Sequence, residues 1–162
     1  MKLSKNFTLW EFEKSETAKR KGLSNKPNID HIDNLQELVN NLLQPLRNSV
    51  GSIRVTSGFR STELNKAIGG AHKIIDGKYI ATSQHCKGQA ADIQYYKDGK
   101  MDNRVLFNAV LELGLEFDQM IEEFDYSWIH ISFNCKGNRN QILSAYSDNG
   151  RTRYKDITKD YK

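Results

Sequence analysis

The chain has 162 residues, 38% of them hydrophobic, with 24 basic against 20 acidic side chains for a net charge of +4. That length suits one domain spanning 1–162, able to bury roughly two-thirds of its unfolded surface around a single core. A mean hydropathy of −0.68, with no apolar run near the ~20 residues of a membrane-spanning helix, argues against membrane insertion.

Thr8 followed by Glu11 in TLWE forms a capping box with Phe7 placed as a staple, and predicts a helix running to about Gly22. Leu35, Leu38, Val39, Leu42 and Leu46 recur at helical spacing, which predicts a long amphipathic helix kinked near Pro45. SIRVTSGF reads as a strand, and STELNKAIGG as a short helix capped by Ser61 and stopped by Gly69 and Gly70. Residues 73–81 carry β-type residues around Asp76-Gly77, a strong hairpin signal. AADIQYY is the next strand and ends in a turn at Asp98-Gly99. DNRVLFNAVLELG is a helix with Asp102 as its cap and Gly114 at its close. FDQMIEEF and WIHISF are strands, and QILSAYS and RTRYKDI flank Asp148-Asn149-Gly150 as a last hairpin. Helices first and a mostly antiparallel sheet after them is the α+β pattern.

The two cysteines, Cys86 and Cys135, have no C-x-x-C spacing and read as free thiols. MKLSKNFTLWEFEKSE has Lys, Asn and Glu where a secretory leader carries its apolar stretch, so a product cytoplasmic at synthesis is expected. The basic residues are spread along the chain rather than gathered on one helix, which disfavours nucleic acid as a partner.

The chemistry centres on the histidines, of which there are four. His31 has only carboxylates near it in sequence and reads as a solvated residue, and His72 sits in a loop without a role. His85 differs, because SQHCKGQAAD places Asp92 seven positions on, at the opening of a strand. Gly88, Ala90 and Ala91 between them let backbone pass close to a neighbour. A loop histidine and a strand aspartate can converge on zinc, which accepts both donor types. Period-2 alternation puts Ile129, Ile131 and Phe133 on the core face of WIHISF and Trp128, His130 and Ser132 opposite. In the preceding strand Met120 and Phe124 take the core face, leaving Gln119, Ile121 and Glu123 opposite. If a turn around Tyr126 and Ser127 joins these strands, Glu123 stands near His130. Three ligands, an open position and a carboxylate to take a proton make up a catalytic zinc site.

SQHCKGQAAD resembles the S-x-H-x-x-G-x-A-x-D motif of the D-alanyl-D-alanine carboxypeptidase family of zinc peptidases, which cleave the stem peptides of bacterial peptidoglycan. IRVTSGFRSTELNKAIGG, FDQMIEEF, WIHISF and NRNQILSAY are similar to the surrounding segments of its phage-type branch, so the likeness runs from about Leu3 to Ile157. The resemblance implies a Hedgehog-like α+β fold and zinc held by His85, Asp92 and His130. It also implies a substrate- and oxyanion-contacting role for Arg60 and substrate contacts for Ser83 and Gln84. Trp128, with Tyr95 or Tyr96, is a candidate lining residue. Cys86 is set aside as a ligand because the set is full without it.

The chain departs from the family pattern twice. Several branches carry the catalytic carboxylate three residues before the last histidine, where this chain has Ser127. Glu123 is therefore the expected base, with Glu122 and Asp125 as second and third candidates. The excursion at 73–81 is longer than the family's usual connection and either shapes the cleft or decorates its rim. The resulting expectation is a monomeric zinc peptidase of stem peptides, working at the cell wall as a phage lysis enzyme or virion component. The rival is a zinc-stabilised wall-binding or virion structural module without turnover. A metal-dependent nuclease would need a concentrated basic face and phosphate-binding loops, which the sequence does not show.

Overall fold

The computed structural model describes residues 1–162. The chain enters through α1 (Leu9–Glu13), where the Glu11 carboxylate accepts from the Thr8 backbone N–H at 2.7 Å. Phe7 packs on Phe12 with ring centroids 6.1 Å apart, so the expected box and staple both form. The expected single helix to Gly22 is instead two. Ser15 caps a second helix, α2 (Glu16–Lys21), by accepting from the Ala18 N–H at 3.1 Å, so the chain turns extended at Lys14. An internal serine able to satisfy free N–H groups competes with helix continuation.

The long amphipathic stretch begins with α3 (Ile29–Leu38), capped by Asn28, and ends with α4 (Gln44–Val50). Between them Val39–Leu43 is a π-helical turn, closed by the Gln44 N–H on the Val39 carbonyl. The irregularity thus falls just before Pro45 rather than at it. A proline crowds the carbonyl four residues back, and a wider turn there absorbs the clash. Leu35, Leu38, Val39, Leu42, Leu43 and Leu46 are all fully buried.

After β1 (Arg54–Ser57) come α5 (Thr62–Ala67), whose cap Ser61 accepts from the Leu64 N–H, and the hairpin β2 (His72–Ile75) and β3 (Lys78–Ala81). A 3-10 turn at Gln84–Lys87 leads into β4 (Ala90–Gln94); β5 (Tyr96–Lys97) and β6 (Lys100–Met101) form a small ribbon. The next helix, α6 (Arg104–Glu112), starts one residue later than an Asp102 cap would have it. Asn103 sits at its start but spends its side chain elsewhere. It accepts from the Tyr95 N–H at 2.8 Å and donates to the Tyr126 and Ser127 carbonyls at 2.8 and 3.1 Å.

The remaining strands are β7 (Gln119–Glu123), β8 (Trp128–Ser132), β9 (Gln141–Asp148) and β10 (Arg151–Asp156). The main sheet has six strands in the order β1-β4-β8-β7-β9-β10, antiparallel except where β7 runs parallel to β9. This is the expected α+β architecture. One face of the sheet, through Val55, Ile93, Met120, Ile129 and Ile131, joins the leucines of α3 and α4 and Leu106, Phe107 and Val110 of α6 in a single core of 23 residues. No helix is long and apolar enough to cross a membrane. The other face of the sheet is left free for a cleft.

Candidate metal centre

Strand register lays the cleft out in two rows of side chains. In the first, Asp92 of β4 lies opposite His130 of β8, His130 opposite Ile121 of β7, and Ile121 opposite Leu143 of β9. In the second, two residues along, Glu123 of β7 stands between Trp128 of β8 and Ala145 of β9, and Ala145 lies opposite Tyr154 of β10. The fourth contributor, His85, comes from the 3-10 turn that precedes β4.

His85, Asp92 and His130 converge. Asp92 Oδ1 lies 3.3 Å from His85 Nε2 and 3.1 Å from His130 Nδ1, and the two ring nitrogens are 3.2 Å apart. A tetrahedral zinc with bonds of about 2.0–2.1 Å would hold its ligand atoms about 3.3–3.4 Å apart. The donor set therefore fits zinc in both chemistry and spacing, and it is the one group of such side chains close enough to share an ion. Its electrostatics suit a cation as well. Burial lowers the His85 pKa, which keeps the ring neutral and a lone pair available. Burial alone would raise the Asp92 carboxyl, but the adjoining His85 and His130 rings hold it far below the usual carboxylate range.

The supports are specific. His85 Nδ1 is 2.7 Å from the Gly58 carbonyl, which accepts its proton and aims Nε2 at the centre. Gly58 is needed there because a Cβ would come within 2.6 Å of the Phe12 Cα. Gly88 (φ +70°) provides the expected close approach of backbone, and the neighbour is α3. It closes the 3-10 turn, and a Cβ on it would lie 2.4 Å from the His31 carbonyl of α3.

Arg60 reaches the outer oxygen of Asp92 at 3.6 Å and lines the cleft, braced by the Ser57 hydroxyl at 3.4 Å. Of the three carboxylates considered beside His130, only Glu123 lines the cleft. Its pKa is pushed up to about 7 by burial, which the His130 ring opposes and Asp92 and Glu122 reinforce. Glu122 lies on the other face, where it accepts from the Ser144 hydroxyl and from the Tyr126 N–H at 3.2 Å. Asp125 is exposed in the turn and pairs with Arg104 at 3.3 Å.

Ser83 and Gln84 line the cleft but are also tied to the scaffold. The Ser83 hydroxyl accepts from the His85 N–H at 3.3 Å, and Gln84 Nε2 donates to Asp118 at 2.8 Å. Trp128 forms part of the wall, whereas Tyr95 packs against the core and Tyr96 lies outside against Arg54 at 4.9 Å. Phe124, expected in the core, packs its ring at a tilt against Trp128, with centroids 5.5 Å apart, and lines the cleft. The reason is that Phe124, Asp125 and Tyr126 all have positive φ, which breaks the strand's alternation. His31 is partly solvated at the start of α3, where it accepts from the Asn28 N–H and rests on Phe59 at 4.7 Å. The 73–81 hairpin leans on α5, where Asn65 donates to the Tyr79 hydroxyl at 2.8 Å; only its flanks, Gly70, Ala71 and Thr82, reach the cleft.

Four contributors, Asp118, Arg139, Thr152 and Tyr154, had no signal in the sequence. Asp118, buried, is gripped by Arg139 through Nε at 3.0 Å and Nη2 at 2.7 Å, which holds its carboxyl below the usual range. Thr152 and Tyr154 of β10 complete the far wall of a cleft of about 980 Å³. A family model described as Peptidase M15 matches residues 5–132. No curated protein matches the chain. With a His-Asp-His centre spaced for zinc in the matched residues, the chain belongs to the Peptidase M15 family of zinc D-Ala-D-Ala carboxypeptidase-like peptidases, which act on peptidoglycan.

Proposed function

We propose that the protein hydrolyses a peptide bond in peptidoglycan stem peptides, with His85, Asp92 and His130 holding zinc and Glu123 as general base. The observation that carries this is the convergence of the three donor atoms, with Asp92 and His130 on one sheet row and Glu123 on the next, the only one of the three carboxylates near His130 to line the cleft. Zinc held by these residues would supply Lewis-acid polarisation of the peptide carbonyl and make the attacking water more acidic. Glu123, poised near the same value, accepts a proton from the attacking water and delivers it to the leaving amine as the C–N bond breaks. Arg60, beside Asp92, donates to the oxyanion that develops on the carbonyl. Ile121, Leu143, Phe124 and Trp128 supply an apolar floor and wall that exclude water from the reacting bond.

The same reading makes Ser83, Gln84 and Trp128 contacts for the substrate. It places the enzyme at the cell wall as a monomeric single-domain protein, a phage lysis enzyme or virion component, and the net charge of +4 suits an anionic wall. The test is mass spectrometry of products released from purified peptidoglycan by zinc-loaded and chelated protein. Loss of a terminal D-alanine identifies a carboxypeptidase, and a cut nearer the glycan identifies an endopeptidase. Zinc-loaded protein that binds the wall and releases nothing would instead be a binding module. Undiminished release by Glu123→Ala would remove Glu123 as the base.

A further inference from the structure

The cleft does not end at Glu123. On its other side lies Ala145 and then Tyr154, in register on β9 and β10, so all three side chains point to the same face. Ala145 has only a methyl group, yet it is 1% exposed, so larger neighbours must close over it. Tyr154 is the bulky residue on its outer flank and lines the cleft, while remaining 56% exposed itself. Residues two strands apart on one face lie roughly 9–10 Å apart at the backbone, a span that an aromatic side chain leaning over a methyl group largely bridges. Thr152 extends the same wall, and Leu143 floors it. Leu143, Ala145, Thr152 and Tyr154 all lie beyond residues 5–132, which the family model matches.

We infer that Tyr154 is a substrate-positioning residue that holds the peptide main chain on the side of Glu123 away from the metal, its hydroxyl hydrogen-bonding the peptide and its ring packing against it. This rests on the peptidase reading above. The metal ligands sit on β4, β8 and the turn before β4, and Tyr154 stands on β10, on the far side of Glu123 from them. It is placed for the part of the substrate that extends past the base. Burial, with the charges of Glu123 and Asp92, raises the Tyr154 pKa, so the phenol stays protonated and able to donate.

The test compares wild type, Tyr154→Phe and Tyr154→Ala, all zinc-loaded, on a soluble stem pentapeptide ending in D-Ala-D-Ala. Both KM and the directly measured Kd are read. Loss of one neutral hydrogen bond predicts a rise of about three- to tenfold for Tyr154→Phe with kcat within about twofold, and a larger rise for Tyr154→Ala. Zinc content and melting temperature should stay at the wild-type values, and Tyr146→Phe, on β9 outside the cleft, should match wild type throughout. Wild-type cleavage with unchanged KM and Kd in Tyr154→Phe overturns the role of Tyr154 and leaves the peptidase reading intact. A fall in kcat at constant KM also overturns it. If wild type binds the pentapeptide without cutting it, the Kd values decide. If it neither binds nor cuts, both readings fall together.

Discussion

Asp92 and His130, on neighbouring central strands, are 13% and 12% exposed, and every polar atom that faces the centre has a partner at 3.1–3.3 Å. Tyr154, four strands from Asp92 on the outermost strand, is 56% exposed and belongs to a strand whose residues are all exposed. The two ends of the cleft are thus built to different tolerances. Metal coordination is lost by displacements of a few tenths of an ångström, so its donors are locked by ladder register and by carbonyls such as that of Gly58. A peptide contact tolerates adjustment, and an edge strand supplies it. The contrast teaches that the chemistry asks for rigidity around the donors and Glu123, from the Gly58 carbonyl to β7, and not at β10.

Changes on the metal side should therefore cost most. Asp92→Ala removes the donor that touches both histidines, and should reduce zinc affinity by more than the roughly 10–100-fold expected from losing a supporting group. Measured zinc content after dialysis checks this, and an unaltered content would break the comparison at its strongest point. Glu123→Gln should keep zinc and lower kcat by about 10²- to 10⁴-fold, read by single-turnover hydrolysis of the pentapeptide.

The same variant sharpens the picture in metal-free protein. Glu123 in the folded state titrates at about 7 against an ordinary 4.5. Folded protein then holds a proton that unfolded protein has released, so stability is full below about 4.5 and falls as pH rises through about 7. Glu123→Gln should flatten that fall, as melting curves in chelator at pH 5 and pH 8 would show. Gly58→Ala forces a Cβ against Phe12. It should destabilise by about 1–3 kcal/mol and weaken zinc binding at the same time, measurable by denaturation with and without zinc. The smallest effect is expected at Ile80→Ser on the 73–81 hairpin, which lies off the cleft: KM within about twofold of wild type, as for most surface changes. A large rise would mean that the hairpin closes over bound substrate.

Much of the site was legible because it is local or periodic. SQHCKGQAAD and the alternation in WIHISF single out His85, Asp92 and His130, and the same period-2 argument selects Glu123 over Glu122. The period failed at Phe124, where three successive left-handed residues turn the ring into the cleft. Capping was misjudged where two polar residues compete, Ser15 ending α1 early and Asn103 taking the place of Asp102 at α6. Arg139 and Tyr154 were out of reach for a different reason. They join the cleft only because β9 pairs parallel to β7 across an irregular connection, and no local pattern announces a parallel neighbour.

Gly58 carries one more consequence. Its carbonyl orients His85, its missing Cβ lets it lie against Phe12, and the next residue, Phe59, donates its N–H to the Phe12 carbonyl at 2.7 Å. The opening turn of the chain is thus a buttress for a histidine more than seventy residues downstream. Trimming the chain into α1 is expected to loosen the metal centre through this contact, although no residue before His85 belongs to the ligand set.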